Sequence, residues 1–168
     1  MINAMKPFTV LLTAIAAAAL VGCAASSTTV IADRVGPDLA QPRINVSAGR
    51  GQLIVYTARD TGIGDPVAYF PTHSSYVILN ADGSVLRRVD NRSGNFDREP
   101  LTVSLPSGTY KIRGRASNSG NVIVPIVVAE NKTTVVDLEG ATFPQHKPTG
   151  AGQWIRLPNG QVIGMRVD

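Results

Sequence analysis

Cysteine and histidine are almost missing from this sequence. Its 168 residues include one Cys and two His, which excludes a framework of internal disulfides. His73 and His146 have no second His or Cys at ligand spacing, which argues against a zinc site. The calcium-loop pattern D-x-[DN]-x-[DN]-G and the nucleophile elbow G-x-S-x-G are also missing. We therefore predict no metal, no cofactor and no enzymatic activity.

Charged residues are sparse as well. They make up 17% of the chain, and the net charge of +4 is a weak basic bias that does not indicate a nucleic-acid partner. The arginines are spread along the chain without the dense basic stripe that phosphate binding favours, and we interpret them as scattered surface charge. In the body of the chain they are Arg50, Arg59, Arg87, Arg88, Arg92, Arg98, Arg113, Arg115, Arg156 and Arg166.

One long apolar run occurs, and it lies near the N-terminus. It covers residues 8–21, after the basic residue Lys6 and before small residues. This order is the three-part pattern of a secretory signal. The run is shorter than the roughly 18 to 20 residues that a membrane-spanning helix needs. Residues 1–22 are therefore predicted to be a cleaved signal peptide.

The single cysteine directly follows this run. Residues 20–23 read LVGC, ending at Cys23, and they resemble the lipobox of bacterial lipoproteins. The resemblance implies that the Cys23 thiol receives a diacylglyceryl group, that cleavage precedes it, and that its freed amine is acylated, for example with palmitate. Several acyl chains hold a protein at a membrane without spanning it.

The residue after the lipidated cysteine carries a further implication of the lipobox resemblance. It is Ala24, and not the Asp that is linked to inner-membrane retention in enteric bacteria. The resemblance therefore implies an envelope protein in the outer membrane, facing the periplasm or the cell surface, if the host is Gram-negative.

Residues 23–51 are predicted to be the lipidated Cys followed by a flexible tether. Ser, Thr, Pro and Gly are frequent there, and the apolar residues are isolated and follow no sustained period. Two short apolar segments, Val30–Ile31 and 44–46, interrupt this composition. Each either belongs to the tether or docks as a short edge strand.

Beyond Gly51 the sequence changes to short runs of β-branched and aromatic residues that alternate with polar ones between turn residues. No long helical period follows the signal. We predict an all-β fold, with residues 52–140 forming a small antiparallel β-sandwich of about seven strands. The predicted strands are 52–58, 75–80, 85–89, 101–105, 109–116, 122–128 and 132–138.

Three turn signals occur in the chain beyond Gly51, two of them between these runs and one near the C-terminus. Asp82 and Gly83 predict a tight hairpin because this dipeptide accepts positive φ angles. The segment 106–108, which contains Pro and Gly, predicts another hairpin. Residues 141–168 are predicted to be a linker and a C-terminal β-hairpin around Asn159-Gly160. That hairpin either packs on the sandwich or stands apart from it.

The second of these turns carries a resemblance. Residues 105–110 read LPSGTY, which is similar to the L-P-x-G-x-Y turn of PEGA and carboxypeptidase-regulatory-like domains. The resemblance implies a transthyretin-like β-sandwich that serves as an accessory module. In this turn Pro106 fixes φ, Gly108 is expected to take a positive φ, and Tyr110 is expected to enter the core.

Together these features favour a non-enzymatic, membrane-anchored envelope lipoprotein whose β-sandwich mediates contacts with a protein or with the cell wall. The alternative is a carbohydrate-binding or periplasmic sensing module. Its contact residues would be aromatic side chains in a Gly- and Pro-rich loop and in the C-terminal hairpin, because aromatic faces stack on sugars. These candidates are Tyr69, Phe70 and Trp154.

Overall fold

The computed structural model describes residues 29–37, 49–60, 71–91, 99–140 and 152–167. These residues form thirteen β-strands and contain no helix, which confirms the predicted all-β fold. In chain order the strands are β1 (Val30–Ile31), β2 (Gly36–Pro37), β3 (Arg50–Tyr56), β4 (Arg59–Asp60), β5 (Thr72–His73), β6 (Tyr76–Asn80), β7 (Val85–Val89), β8 (Val103–Pro106), β9 (Gly108–Ala116), β10 (Gly120–Val128), β11 (Thr133–Asp137), β12 (Gln153–Arg156) and β13 (Val162–Val167).

Five strands form the largest sheet, here called the main sheet, in the order β1-β10-β9-β6-β7. The predicted β6–β7 hairpin is confirmed. Of its two signal residues only Gly83 takes a positive φ, of 93°. The Asp82 carboxylate instead accepts hydrogen bonds from the Ser84 amide and hydroxyl at 2.8 and 2.7 Å. A left-handed glycine after such a turn returns the chain to the ladder of the hairpin.

The remaining strands form two three-stranded sheets, ordered β11-β3-β8 and β12-β13-β2, and the two-stranded ribbon β4-β5. The sheets are mixed, because β1 runs parallel to β10, β11 to β3, and β2 to β13. The antiparallel arrangement predicted for the sandwich is therefore wrong at the pair of β11 and β3, while β1 and β2 come from the predicted tether. Each pair joins strands that are distant in the chain, and parallel pairing needs such long connections.

The turn at 106–108 differs from its prediction. β8 pairs with β3, whereas β9 pairs with β6 and β10 in the main sheet, so the turn carries the chain from one sheet to another and makes no hairpin. Gly108 begins β9 in an extended conformation and does not take a positive φ. The expectation for Tyr110 is confirmed, since its ring lies in the core and its hydroxyl donates to the Pro106 carbonyl at 2.9 Å.

Part of the predicted tether belongs to the folded domain. β1 pairs with β10, Val35 continues along the same strand, and β2 then pairs with β13. Gly36 lies so close to β10 that a Cβ at this position would approach a β10 carbonyl oxygen to 2.4 Å. Val30–Ile31 thus docks as an edge strand, while residues 44–46 lie outside the described ranges.

The core joins all three larger sheets. The C-terminal hairpin contributes Ile155, Leu157 and Ile163, each at most 3% exposed, to the same cluster of buried side chains as the main sheet. The hairpin predicted from Asn159-Gly160 is therefore confirmed, and it packs on the core. The main sheet directs one face toward this core, here called the inner face, and its opposite face is called the outer face.

Candidate functional site

Neighbouring residues of β6 show where the two faces of the main sheet lie. Tyr76 and Ile78 belong to the core cluster, whereas Val77 and Leu79 do not. Val77 and Leu79 are nevertheless only 7% and 6% exposed. Because side chains alternate along a strand, these two residues lie on the outer face. Something other than the core must therefore cover them.

Long basic side chains flank these two residues on the neighbouring strands. Val77 is in register with Arg88 of β7 on one side and with Arg113 of β9 on the other. Leu79 is in register with Lys111 of β9. Arginine and lysine can lay their aliphatic stems on apolar surface while their charged ends stay in water. The outer face thus places basic side chains beside Val77 and Leu79, and we expect their stems to contribute to the cover.

Strands β4, β6, β7, β9 and β10, together with Thr29 just before β1, line a groove with a volume of about 530 Å³. Its lining includes Arg88, Arg113 and Arg115, together with the polar side chains of Thr29 and Asn121. Neighbouring strands lie about 4.8 Å apart, so the Cα atoms of Arg88 and Arg113 are separated by roughly 10 Å across β6. This spacing places two guanidinium groups on either side of the groove floor.

The three arginines differ in their partners. Arg115 forms an ion pair with the Asp60 carboxylate. Arg88 and Arg113 make neither an ion pair nor a side-chain hydrogen bond with any described residue. Each guanidinium offers planar donors that match the oxygens of a carboxylate or a phosphate. The groove therefore carries two arginines without a carboxylate partner in the described part of the chain, and such groups suit an anionic ligand.

Apolar side chains flank this basic centre. Among the described residues, the large hydrophobic side chains that are exposed are Ile31, Val85 and Leu86, at 74%, 64% and 44%. Ile31 lies on β1 and the other two on β7, which are the two edge strands of the main sheet. Exposed apolar groups beside a charged groove are typical of a contact surface.

A second polar cluster lies at the end of β3 and is closed to ligands. Asn91 is buried, donates to the Val55 carbonyl at 2.8 Å and accepts from the Leu101 amide at 3.0 Å. The Thr57 hydroxyl donates to a backbone carbonyl at 2.6 Å, and Nδ1 of the buried His73 lies 2.8 Å from the Thr57 carbonyl oxygen. These bonds replace strand pairing where β3 ends, so we assign this cluster a structural role.

Tyr56 stands beside this buried cluster. Its ring packs edge-on against His73, with centroids 5.7 Å apart, and its hydroxyl lies 3.4 Å from the Glu99 carboxylate. Burial first, and then the negative charge of Glu99, raise the pKa of Tyr56 to about 12. The phenol therefore stays protonated at neutral pH and acts as a hydrogen-bond donor.

The structure does not bring the residues predicted to contact a ligand into the groove among the parts of the chain that it describes. Cys23, Tyr69 and Phe70 fall outside the described residues. Trp154 is half-buried on β12, in register with Met165 of β13, and does not line the groove. The lipidation of Cys23 and a carbohydrate contact at the three aromatic residues stay predictions.

The sequence did contain a signal for the basic groove. Lys111, Arg113 and Arg115 alternate along one predicted strand, which places them on one face. The interpretation of the arginines as scattered charge missed this pattern. It also had no access to the register that brings Arg88 from β7 to the same face.

Further properties of the described residues complete the description of the site. No group of three or more His, Cys, Asp or Glu side chains within these ranges is placed to hold a metal ion. None of the described segments forms a helix long and apolar enough to cross a membrane. In comparisons with known proteins, no family model, no curated protein and no solved structure matches the chain.

Proposed function

We propose that this chain is a non-enzymatic lipoprotein of the bacterial cell envelope. Acyl chains on Cys23 attach it to the membrane, and the outer face of its main sheet binds an anionic component of the envelope. Acidic proteins, cell-wall polymers and lipid headgroups are the classes that carry such charge. The observation that carries the binding role is the pair of groove-lining arginines, Arg88 and Arg113, for which the described residues supply no carboxylate partner.

Two independent features support the envelope assignment. The lipobox resemblance at Cys23 supplies the anchor, and Ala24 favours transport to the outer membrane of a Gram-negative host. The resemblance at 105–110 to PEGA-type turns favours a transthyretin-like β-sandwich that acts as an accessory module. The shared core between the main sheet and the β11-β3-β8 sheet is compatible with such a sandwich.

The anchor is tested by intact mass spectrometry of the protein purified from its native membrane. We expect the mass of a chain that begins at Cys23 plus acyl groups, and we expect Cys23→Ala to lose them. Fractionation of the same cells tests the outer-membrane location. An unlipidated mass, with the variant processed and released equally well, would refute the anchor.

The binding face is tested by a photo-crosslinking amino acid placed in living cells at position 121, an exposed asparagine that lines the groove. The control carries the same group at position 132, an exposed lysine just before β11 and outside the main sheet. We expect adducts with an envelope component at position 121 and few at position 132. Equal yields at both positions, or no adduct at 121, would contradict the assignment of this face.

A further inference from the structure

We propose that the outer face of the main sheet docks on the anionic headgroup layer of the membrane that holds the lipid anchor. This inference rests on the proposed function, because it takes Cys23 as the anchor and the groove as the contact site. It specifies which anionic component the groove binds, namely the phosphate groups of the lipids beside the anchor.

The length of chain between anchor and groove limits how far the two can separate. Thr29 lines the groove and β1 begins at the next residue. Six residues connect Cys23 to Thr29, and a fully extended chain spans at most about 3.3 to 3.6 Å per residue. The edge of the groove therefore lies within roughly 20 Å of the acylated residue. A lipid-anchored chain of this length keeps the groove near the headgroups.

The charges of the groove match that layer. Asp60 pairs with Arg115, and within the described ranges Arg88 and Arg113 have no carboxylate partner. Lys111 adds a third basic side chain one row further along the outer face. Basic residues near an anionic bilayer are attracted to it over about a Debye length, roughly 8 Å at physiological salt. Guanidinium groups also bind phosphate oxygens directly.

The exposed apolar residues favour lipid over a hydrated polymer. Ile31 stands at one edge of the main sheet, and Val85 and Leu86 stand at the opposite edge. When the basic centre meets phosphates, both edges face the boundary between headgroups and acyl chains, where apolar side chains lose contact with water. An acidic cell-wall polymer offers charge but no apolar layer, and it would leave these side chains exposed.

Vesicle flotation tests this docking without the anchor. The protein used is the chain from Ala24 onward, which keeps every described residue, at increasing concentrations of vesicles. One set contains phosphatidylcholine and phosphatidylglycerol in a two-to-one ratio, and the other contains phosphatidylcholine alone. We expect binding to the anionic set that weakens with added salt, and much weaker binding to the neutral set.

Neighbouring arginines on one strand provide a matched control. Arg88 is in register with Val77 on the outer face, whereas Arg87 is in register with the core residue Ile78 on the other face. We expect Arg88→Ala and Arg113→Ala each to weaken vesicle binding roughly fivefold. Arg87→Ala, which removes the same charge from the same strand, is expected to change it by less than about twofold.

The outcomes separate this inference from the proposed function. Equal binding to neutral and anionic vesicles, or equal losses in the Arg87 and Arg88 variants, would overturn membrane docking. Isolated cell-wall sacculi serve as a third ligand. If the chain binds sacculi through Arg88 but not anionic vesicles, the inference is wrong while the proposed binding face stands. Failure of acylation at Cys23 would instead refute the proposed function itself.

Discussion

Adjacent residues of the main sheet have different surroundings. Ile112 and Arg113 are neighbours on β9, yet Ile112 packs in the core while Arg113 lies beside Val77 on the exposed outer face. On the inner face water is excluded by side chains from other sheets, which separate only when the domain unfolds. On the outer face we expect flexible basic stems to exclude it, and such stems can move without unfolding. We therefore expect stability to depend on the inner residues of these strands, and the proposed binding on the outer residues.

Alanine substitutions of Ile112 and Arg113 are expected to give the largest difference in the free energy of unfolding. Ile112 is fully buried, so Ile112→Ala leaves a cavity and is expected to cost about 2 to 5 kcal/mol of the free energy of unfolding. Arg113→Ala, on the exposed side, is expected to stay within about 0.5 kcal/mol. Urea unfolding followed by circular dichroism measures both. Similar losses in the two variants would show that the outer face is a packing surface.

The buried part of the molecule also contains a polar side chain, Asn91. Its hydrogen bonds contribute to the free energy of unfolding in addition to apolar packing. Asn91→Ala removes the partners of the Val55 carbonyl and the Leu101 amide. Buried groups left without partners cost about 1 to 3 kcal/mol, so we expect a loss near 2 kcal/mol in the same urea assay. Asn118→Ala, in the exposed turn after β9, is the control and should be neutral.

The sequence predicted local structure far better than it predicted which strands meet. Val85–Val89 was predicted with its observed bounds, because a short run that begins and ends with β-branched residues and the preceding Asp82-Gly83 turn are encoded in consecutive residues. The turn at 106–108 was predicted at the right place, but the strands on either side of it were wrongly predicted to pair with each other. Pro and Gly specify that the chain reverses, but they do not determine whether the next strand pairs with the previous one or joins another sheet.

The same limit explains the missed groove. The alternation of Lys111, Arg113 and Arg115 is local and was readable, whereas the approach of Arg88 depends on the pairing of β6 with both β7 and β9. Residues 29–37 were assigned to a tether because their composition is polar. Their few apolar residues, such as Val35, become buried only when β10 and β13 are already in place.

The buried side of the molecule also contains a phenol whose ionisation makes the stability depend on pH. Burial and the Glu99 charge raise the pKa of Tyr56 to about 12, above its ordinary value near 10. The folded state thus holds this proton more tightly than the unfolded state. The stability that the raised pKa of Tyr56 contributes is fully present below pH 10 and is lost as the pH rises toward 12.

The expected size of this effect is about 1 kcal/mol lost at pH 11 relative to pH 9. Urea unfolding at the two pH values measures it, with Tyr56→Phe as the comparison variant. The variant should lose less stability over this interval than the unchanged chain. An identical alkaline loss in both chains would assign it to another group.

The smallest expected effects come from one substitution made at two tyrosines of the inner face. The Tyr110 hydroxyl donates to the Pro106 carbonyl, so Tyr110→Phe should cost about 1 kcal/mol. Among the described residues the buried Tyr76 hydroxyl has no hydrogen-bond partner, and its burial raises the pKa of this phenol. Tyr76→Phe removes a desolvated polar group, so we expect no loss, or a gain of up to about 1 kcal/mol.

A loss of stability in Tyr110→Phe and a gain in Tyr76→Phe would show that the two tyrosines differ in the hydrogen bonding of their hydroxyls and not in the packing of their rings. Thermal and urea unfolding of the two variants, measured side by side at neutral pH, provides the comparison. A clear loss of stability in Tyr76→Phe would mean that its hydroxyl is bonded in solution, for example to a water molecule enclosed behind the main sheet. In that case the inner face would contain water despite its apolar side chains. The two faces of the main sheet would then differ less in how completely they exclude water.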